Sequence, residues 1–151
     1  MSRREARDFI DRYLDRYPGV KAYREQSVRE ARERGYAVTL MGRRRYLPEL
    51  ASSNFNVRSF GERCAMNSPI QGTAADIIKL AMIRVHDALK ARGLRARLIL
   101  QVHDELIVEA PIDELDAVRA LLLDGMESVV HLSVPLKAEL STGGNWNECK
   151  S

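Results

Sequence analysis

The chain has 151 residues, 45% hydrophobic and 30% charged, with a net charge of +3. That composition fits one soluble globular domain rather than a disordered or membrane segment. No apolar run reaches membrane-span length, the amino terminus is not a signal-peptide core, and the two cysteines, Cys64 and Cys149, lack zinc-ligand spacing. A cytoplasmic protein without disulfide framework or structural zinc is expected.

Ser2-Arg3-Arg4-Glu5 fits a capping box, and Ala6, Phe9, Ile10, Tyr13 and Leu14 recur at helical spacing, so a first helix is predicted to about Arg16. Tyr17-Pro18-Gly19 ends it. A second helix is predicted from Val20 to Arg34, stopped by Gly35. Tyr36 to Leu40 and Arg45 to Leu47 read as short strands around Met41-Gly42-Arg43, and Pro48 to Asn54 as loop. A helix is predicted from Phe55 to Met66, with a fresh start at Ser68-Pro69, an N-cap followed by proline at the first helical position. The long helix behind it carries Ala74, Ile77, Ile78, Ala81, Met82, Val85 and Leu89 on one stripe, and Gly93 closes it. A hairpin from Leu98 to Val108, a helix from Ile112 to Val130, a strand from Val134 to Leu140 and a tail from Gly143 to Ser151 anchored by Trp146 complete the chain. The fold class predicted is α+β, with antiparallel strands packed against helices.

Charge is unevenly spread. Residues 1–63 hold fourteen arginines, whereas residues 104–127 hold eight acids and one Arg. A basic half suits a grip on a phosphate backbone, although arginine mixed with glutamate over residues 3–34 also fits a solvated helix surface with i, i+4 pairs. Arg43, Arg44, Arg45 and Arg58 are candidate phosphate contacts, because guanidinium forks match phosphate oxygens regardless of base sequence.

The hairpin is unusual at its turn. Gln101-Val102-His103-Asp104-Glu105-Leu106 puts a histidine and two carboxylates where Gly or Asn would serve. Carboxylates held rigidly between two strands are what phosphoryl transfer uses to clamp divalent ions; solvated turn residues are the plainer alternative. Neighbours in an extended strand point to opposite faces, so Asp104 and Glu105 cannot easily chelate one ion together unless the turn redirects them.

Three ordered stretches, Gly42-Arg43-Arg44-Arg45-Tyr46-Leu47-Pro48, Asn67-Ser68-Pro69-Ile70-Gln71-Gly72-Thr73-Ala74-Ala75-Asp76-Ile77-Ile78-Lys79 and the hairpin motif, closely resemble the bacterial family A DNA polymerases. The likeness covers nearly the whole chain and only the carboxyl-terminal part of the family: residues 1–66 resemble the distal fingers with a basic region, residues 67–151 the later palm. The resemblance implies DNA-directed DNA synthesis with a two-ion Mg2+ site, primer-template DNA and dNTP as partners, and a place at the bacterial nucleoid. It implies that Asp104 binds metal, that Glu105 supports it through water, and that His103 lies near the primer terminus. Arg63, Asn67 and Gln71 match residues that face the primer-template minor groove, where amide and guanidinium donors meet acceptors common to all base pairs; Asn67 as a helix cap and Gln71 as plain surface are the alternatives. The family's second palm-aspartate motif and its Arg/Lys/Tyr nucleotide-binding helix do not occur in the sequence. A truncated or split enzyme is therefore expected, inactive alone, with a separate amino-terminal polymerase fragment as a partner. Asp76 and Glu109 are not assigned as substitutes. A non-catalytic DNA-binding remnant is the main alternative reading, and a metal-dependent nuclease a lesser one.

Overall fold

A computed structural model describes residues 2–150; Met1 and Ser151, the latter the end of the predicted tail, lie outside the described residues. The chain divides into two compact units, Met1–Thr73 and Ala74–Ser151.

In the first unit, α1 (Arg3–Arg16) starts on the predicted capping box: the Glu5 amide donates to Ser2 Oγ at 3.2 Å and the Ser2 amide to Glu5 Oε2 at 2.6 Å. α2 (Pro18–Arg34) begins directly at Pro18, where a missing N–H costs nothing, and ends at Gly35 in the left-handed region, φ +76°. β1 (Tyr36–Val38) and β2 (Arg44–Tyr46) form an antiparallel ribbon, pairing Tyr36 with Tyr46, Ala37 with Arg45 and Val38 with Arg44. Both strands are a little shorter than, or shifted from, the expected bounds, because the turn is already closed by the Gly42 amide on the Thr39 carbonyl. A 3-10 turn at Pro48–Ala51 falls inside the predicted loop. Ala31, Ala37, Leu47, Leu50, Cys64 and Ala65 form the core, with Val28 packed against it.

The expected break between two helices at Ser68-Pro69 does not occur. α3 runs unbroken from Phe55 to Ala91, with Pro69 inside it. Asn54 caps its start, accepting from the Asn56 and Val57 amides. Pro69 removes one intrahelical donor, but polar groups on either side are tied down: Thr73 Oγ1 donates to the Pro69 carbonyl at 2.5 Å, and Tyr23 Oη donates to the Met66 carbonyl at 3.0 Å. Ser68 is consequently an interior helical residue rather than an N-cap.

In the second unit, the later turns of α3 present Val85 and Leu89 to Ala96, Val118 and Leu121, with Leu106, Val108 and Leu122 packed against that cluster. The chain turns at Gly93 (φ +65°) into β3 (Arg97–Val102) and β4 (Glu105–Glu109), the predicted hairpin. Its register shifts between Leu98 and Leu100, which makes Ile99 a bulge. After a 3-10 turn at Ile112–Glu114, α4 (Leu115–Glu127) ends three residues before the predicted Val130. Glu114 joins this helix start to the hairpin: its carboxylate accepts from the Arg95 and Ala96 amides, each at 3.0 Å, and from Arg95 Nε at 3.1 Å.

Val134 to Leu140, expected as a strand, forms none. Alternation survives at Leu136, Ala138 and Leu140, each less exposed than its neighbours, yet Pro135 has no amide to give and the Ala138 amide bonds to Glu127 Oε1. Alternation prepares a strand only where a partner offers a ladder. Trp146, in the tail, is 42% exposed. Among the described residues, no helix is long and apolar enough to cross a membrane.

Candidate nucleic-acid interface and carboxylate turn

Val102 pairs with Glu105, so His103 and Asp104 alone make the turn between β3 and β4. His103 has φ +51°, the sole positive value at a non-glycine residue among those described. A side chain is disfavoured in that region, and Gln101 holds the bend by donating from Nε2 to the His103 carbonyl at 2.6 Å. Asp104 sits exposed in the turn, and Glu105, also exposed, begins the ladder of β4.

Divalent metal binding needs more than this. Among the described residues no three His, Cys, Asp or Glu side chains come together. Asp76 is 5% exposed within α3, and Glu109 ends β4 opposite Arg97. One turn carboxylate with Glu105 beside it does not amount to a ligand set for two Mg2+ ions, which call for several oxygens each, so the chain's own residues do not fit the complete site.

In the first unit, Arg63, Asn67 and Gln71 all lie exposed on α3 at four-residue steps. Because α3 passes through Pro69 intact, the three residues keep their helical spacing. The Arg63 guanidinium stands 6.0 Å from the Phe60 ring centre.

The arginine cluster divides. Arg43 and Arg45 line a cavity of about 250 Å³ together with Gln71. Arg44 instead lies over the Tyr36 ring, 4.8 Å from its centre. Arg58 is engaged with its own loop, donating from Nη1 to the Ser52 carbonyl at 3.0 Å and the Ser53 carbonyl at 3.4 Å, and this gives it a structural task that its sequence context did not reveal. Ser68 and Thr39, which also line the cavity, were missed by sequence reasoning; the two-residue alternation of Ala37, Thr39, Arg43 and Arg45 was the available signal.

The family model for DNA polymerase family A matches residues 1–148. The chain belongs to that family. Its sequence is 57% identical over 150 residues to DNA polymerase I of Bacillus subtilis (strain 168), covering 99% of this chain and 17% of that protein. It is 51% identical over the same length to DNA polymerase I of Caldicellulosiruptor bescii, covering 18% of that relative. The family A chain thus spans less than a fifth of the curated relatives it matches. Among solved structures, the POL domain of Pol1 from M. smegmatis in complex with DNA primer-template and dNTP superposes with a TM-score of 0.97 at 46% identity, covering all of this chain and 27% of that one. Family membership and the α+β fold of mixed helices and small antiparallel ribbons agree with the sequence reading.

Proposed function

We propose that this chain serves template-directed DNA synthesis, the transfer of a nucleotidyl group from a dNTP to a primer 3′ hydroxyl with release of pyrophosphate, as the carboxyl-terminal part of a family A polymerase. The observation that carries the reading is the strained His103–Asp104 turn, an exposed carboxylate at the end of a two-strand platform, in a chain that the family matches almost end to end. In this reading Asp104 is the metal-binding carboxylate, Glu105 supports it through water, and His103 stands beside the primer terminus. Arg63, Asn67 and Gln71 follow the minor groove, and Arg43, Arg44, Arg45 and Arg58 meet backbone phosphate. The partners are primer-template DNA, dNTP and a separate amino-terminal polymerase piece, and the setting is the bacterial cytoplasm at the nucleoid. Mg2+ belongs to this proposal with the limit already given: residues 1–151 supply only part of its ligands.

That limit favours one second reading, a DNA-binding remnant without chemistry. Incubating the purified chain with primer-template, dNTPs and Mg2+ tests both. The expected result is salt-dependent DNA binding that persists in Asp104→Ala, no extension by the chain alone, and extension when a polymerase piece carrying the missing motifs is added. Extension by the chain alone that disappears in Asp104→Ala would refute the incompleteness. Binding without restored extension would leave the remnant reading.

A further inference from the structure

Within the first unit, the β1–β2 ribbon is held to α3 at two levels. At its base Ala37 lies in the core, and Arg45, opposite it in the ladder, donates to Cys64 Sγ at 3.4 Å. At its tip the Gly42 amide on the Thr39 carbonyl and the Arg43 amide on Thr39 Oγ1 close the turn. The Leu40 amide lies outside the ladder and donates to Thr73 Oγ1 on α3 at 2.9 Å, a bond that spans 33 positions of sequence. The same hydroxyl donates its own proton to the Pro69 carbonyl at 2.5 Å. As acceptor on one side and donor on the other, it is held in one orientation. Gly72 beside it permits the close approach, since a Cβ there would lie 2.5 Å from Thr39 Cγ2.

This tether matters because the ribbon is small. Two short strands paired with each other are marginally stable by themselves, and the Leu40 and Met41 side chains at the tip are exposed, so they contribute little apolar burial to its placement. The proposed DNA contacts are divided between the two elements that Thr73 joins. Arg63, Asn67 and Gln71 stand on α3, and Arg44 stands on β2. A duplex fixes the distance from a minor-groove edge to a backbone phosphate, so both sets engage at full strength only if the ribbon keeps one place on the helix.

We infer that Thr73 is a positioning residue for nucleic acid: its hydroxyl fixes the ribbon tip on α3, so that the ribbon arginines and the row on the helix engage one duplex together. The inference rests on the DNA-handling reading and gives Thr73 no contact with DNA of its own.

The test is binding of a labelled primer-template to the full 151-residue chain across a salt series. Thr73→Val removes the hydroxyl while keeping volume, charge and helix propensity nearly unchanged. Its affinity is expected to fall about three- to tenfold. The slope of log affinity against log salt is expected to fall by about 0.9, the share of one phosphate, although no charge has been removed. Thr73→Ser, which keeps the hydroxyl, should bind like the parent. Leu40→Pro removes the donor from the other side, at the second position of the Thr39–Gly42 turn, where proline is favoured. It should reproduce the valine result, and it decides the matter alone if Thr73→Val does not fold. Arg44→Ala should lower the slope in the parent but not in Thr73→Val. A Thr73 that serves stability alone would lower the melting temperature and leave the slope as it is. A folded Thr73→Val or Leu40→Pro chain with the parent's slope therefore overturns the positioning role and leaves the DNA-handling reading in place. If Arg44→Ala and Gln71→Ala both bind primer-template as the parent does, the DNA-handling reading falls and this inference falls with it.

Discussion

At the tip of the β3–β4 hairpin, a histidine holds a backbone conformation that glycine would adopt without strain. The cost of such a non-glycine residue is about 1 kcal/mol or slightly more, and nothing in the fold of the turn requires an imidazole. His103→Gly should therefore raise stability by about 0.5–1 kcal/mol in chemical denaturation; a loss of that size would show that the side chain supports the hairpin and would remove strain as a mark of function. Asp104 was legible as a candidate from its placement between two apolar runs, but the left-handed turn that presents it was not, since φ depends on a two-residue loop length that sequence left open. The three arginines at 43–45 stand out in the sequence as a cluster of guanidinium groups. Their division between two faces follows from strand alternation, which becomes usable only when the ribbon register is known.

Glu114 acts between residue and element, holding the start of α4 to the entry of the β3–β4 hairpin. The amide of Arg95 foremost, offset in part by burial and reinforced by the Arg95 guanidinium and the Ala96 amide, lowers its pKa below the ordinary value of 4.5, while Glu114 and Asp113 raise that of Arg95. A carboxyl lowered in the folded state stabilises fully above its unfolded pKa and loses that contribution as pH falls through the folded value. Glu114→Gln should thus lower the denaturation midpoint at pH 7, with the gap to the parent narrowing below pH 4.5; a gap unchanged in acid would contradict the ionic account.

Among the elements, α3 shows where local signals mislead. Ser68-Pro69 has the pattern of a helix start, yet the helix continues through it, with Thr73 and Tyr23 donating to the Pro69 and Met66 carbonyls nearby. Those donors come from a following turn and a distant helix, which no local reading weighs. The Val134–Leu140 segment errs in the opposite direction, because its alternation was read as pairing without evidence of a partner. Gly72 permits a quantitative test of the packing in between. Alanine is favoured in a helix by about 1 kcal/mol, but its Cβ would overlap Thr39 Cγ2, a cost of about 1–3 kcal/mol. Gly72→Ala should destabilise modestly, and Thr39→Ser in that background, which removes the methyl and keeps the hydroxyl, should restore stability to at least the parent value.

Across the whole molecule, the α+β class, the β3–β4 hairpin and the helices α1, α2 and α4 were legible because each rests on hydrophobic period. The concentration of arginine in residues 1–63 and of acid in residues 104–127 was equally visible, and the former supplies the arginine pair that lines the first unit's cavity. A metal-ligand set is a property of residues brought together in space, which no reading of the sequence supplies, and among the described residues no such group assembles. In the function proposed above, this stretch does the work of a family A polymerase's carboxyl-terminal part, with Asp104 at the chemistry. Replacing the matching segment of Bacillus subtilis DNA polymerase I, 57% identical over 150 residues, by this chain and measuring single-turnover primer extension puts it to the test. The hybrid should extend primers, and Asp104→Ala within it should slow extension at least about a thousandfold, some 4 kcal/mol of barrier, without loss of DNA binding. A hybrid that folds and binds primer-template but extends at the same rate with Ala at position 104 would contradict the account.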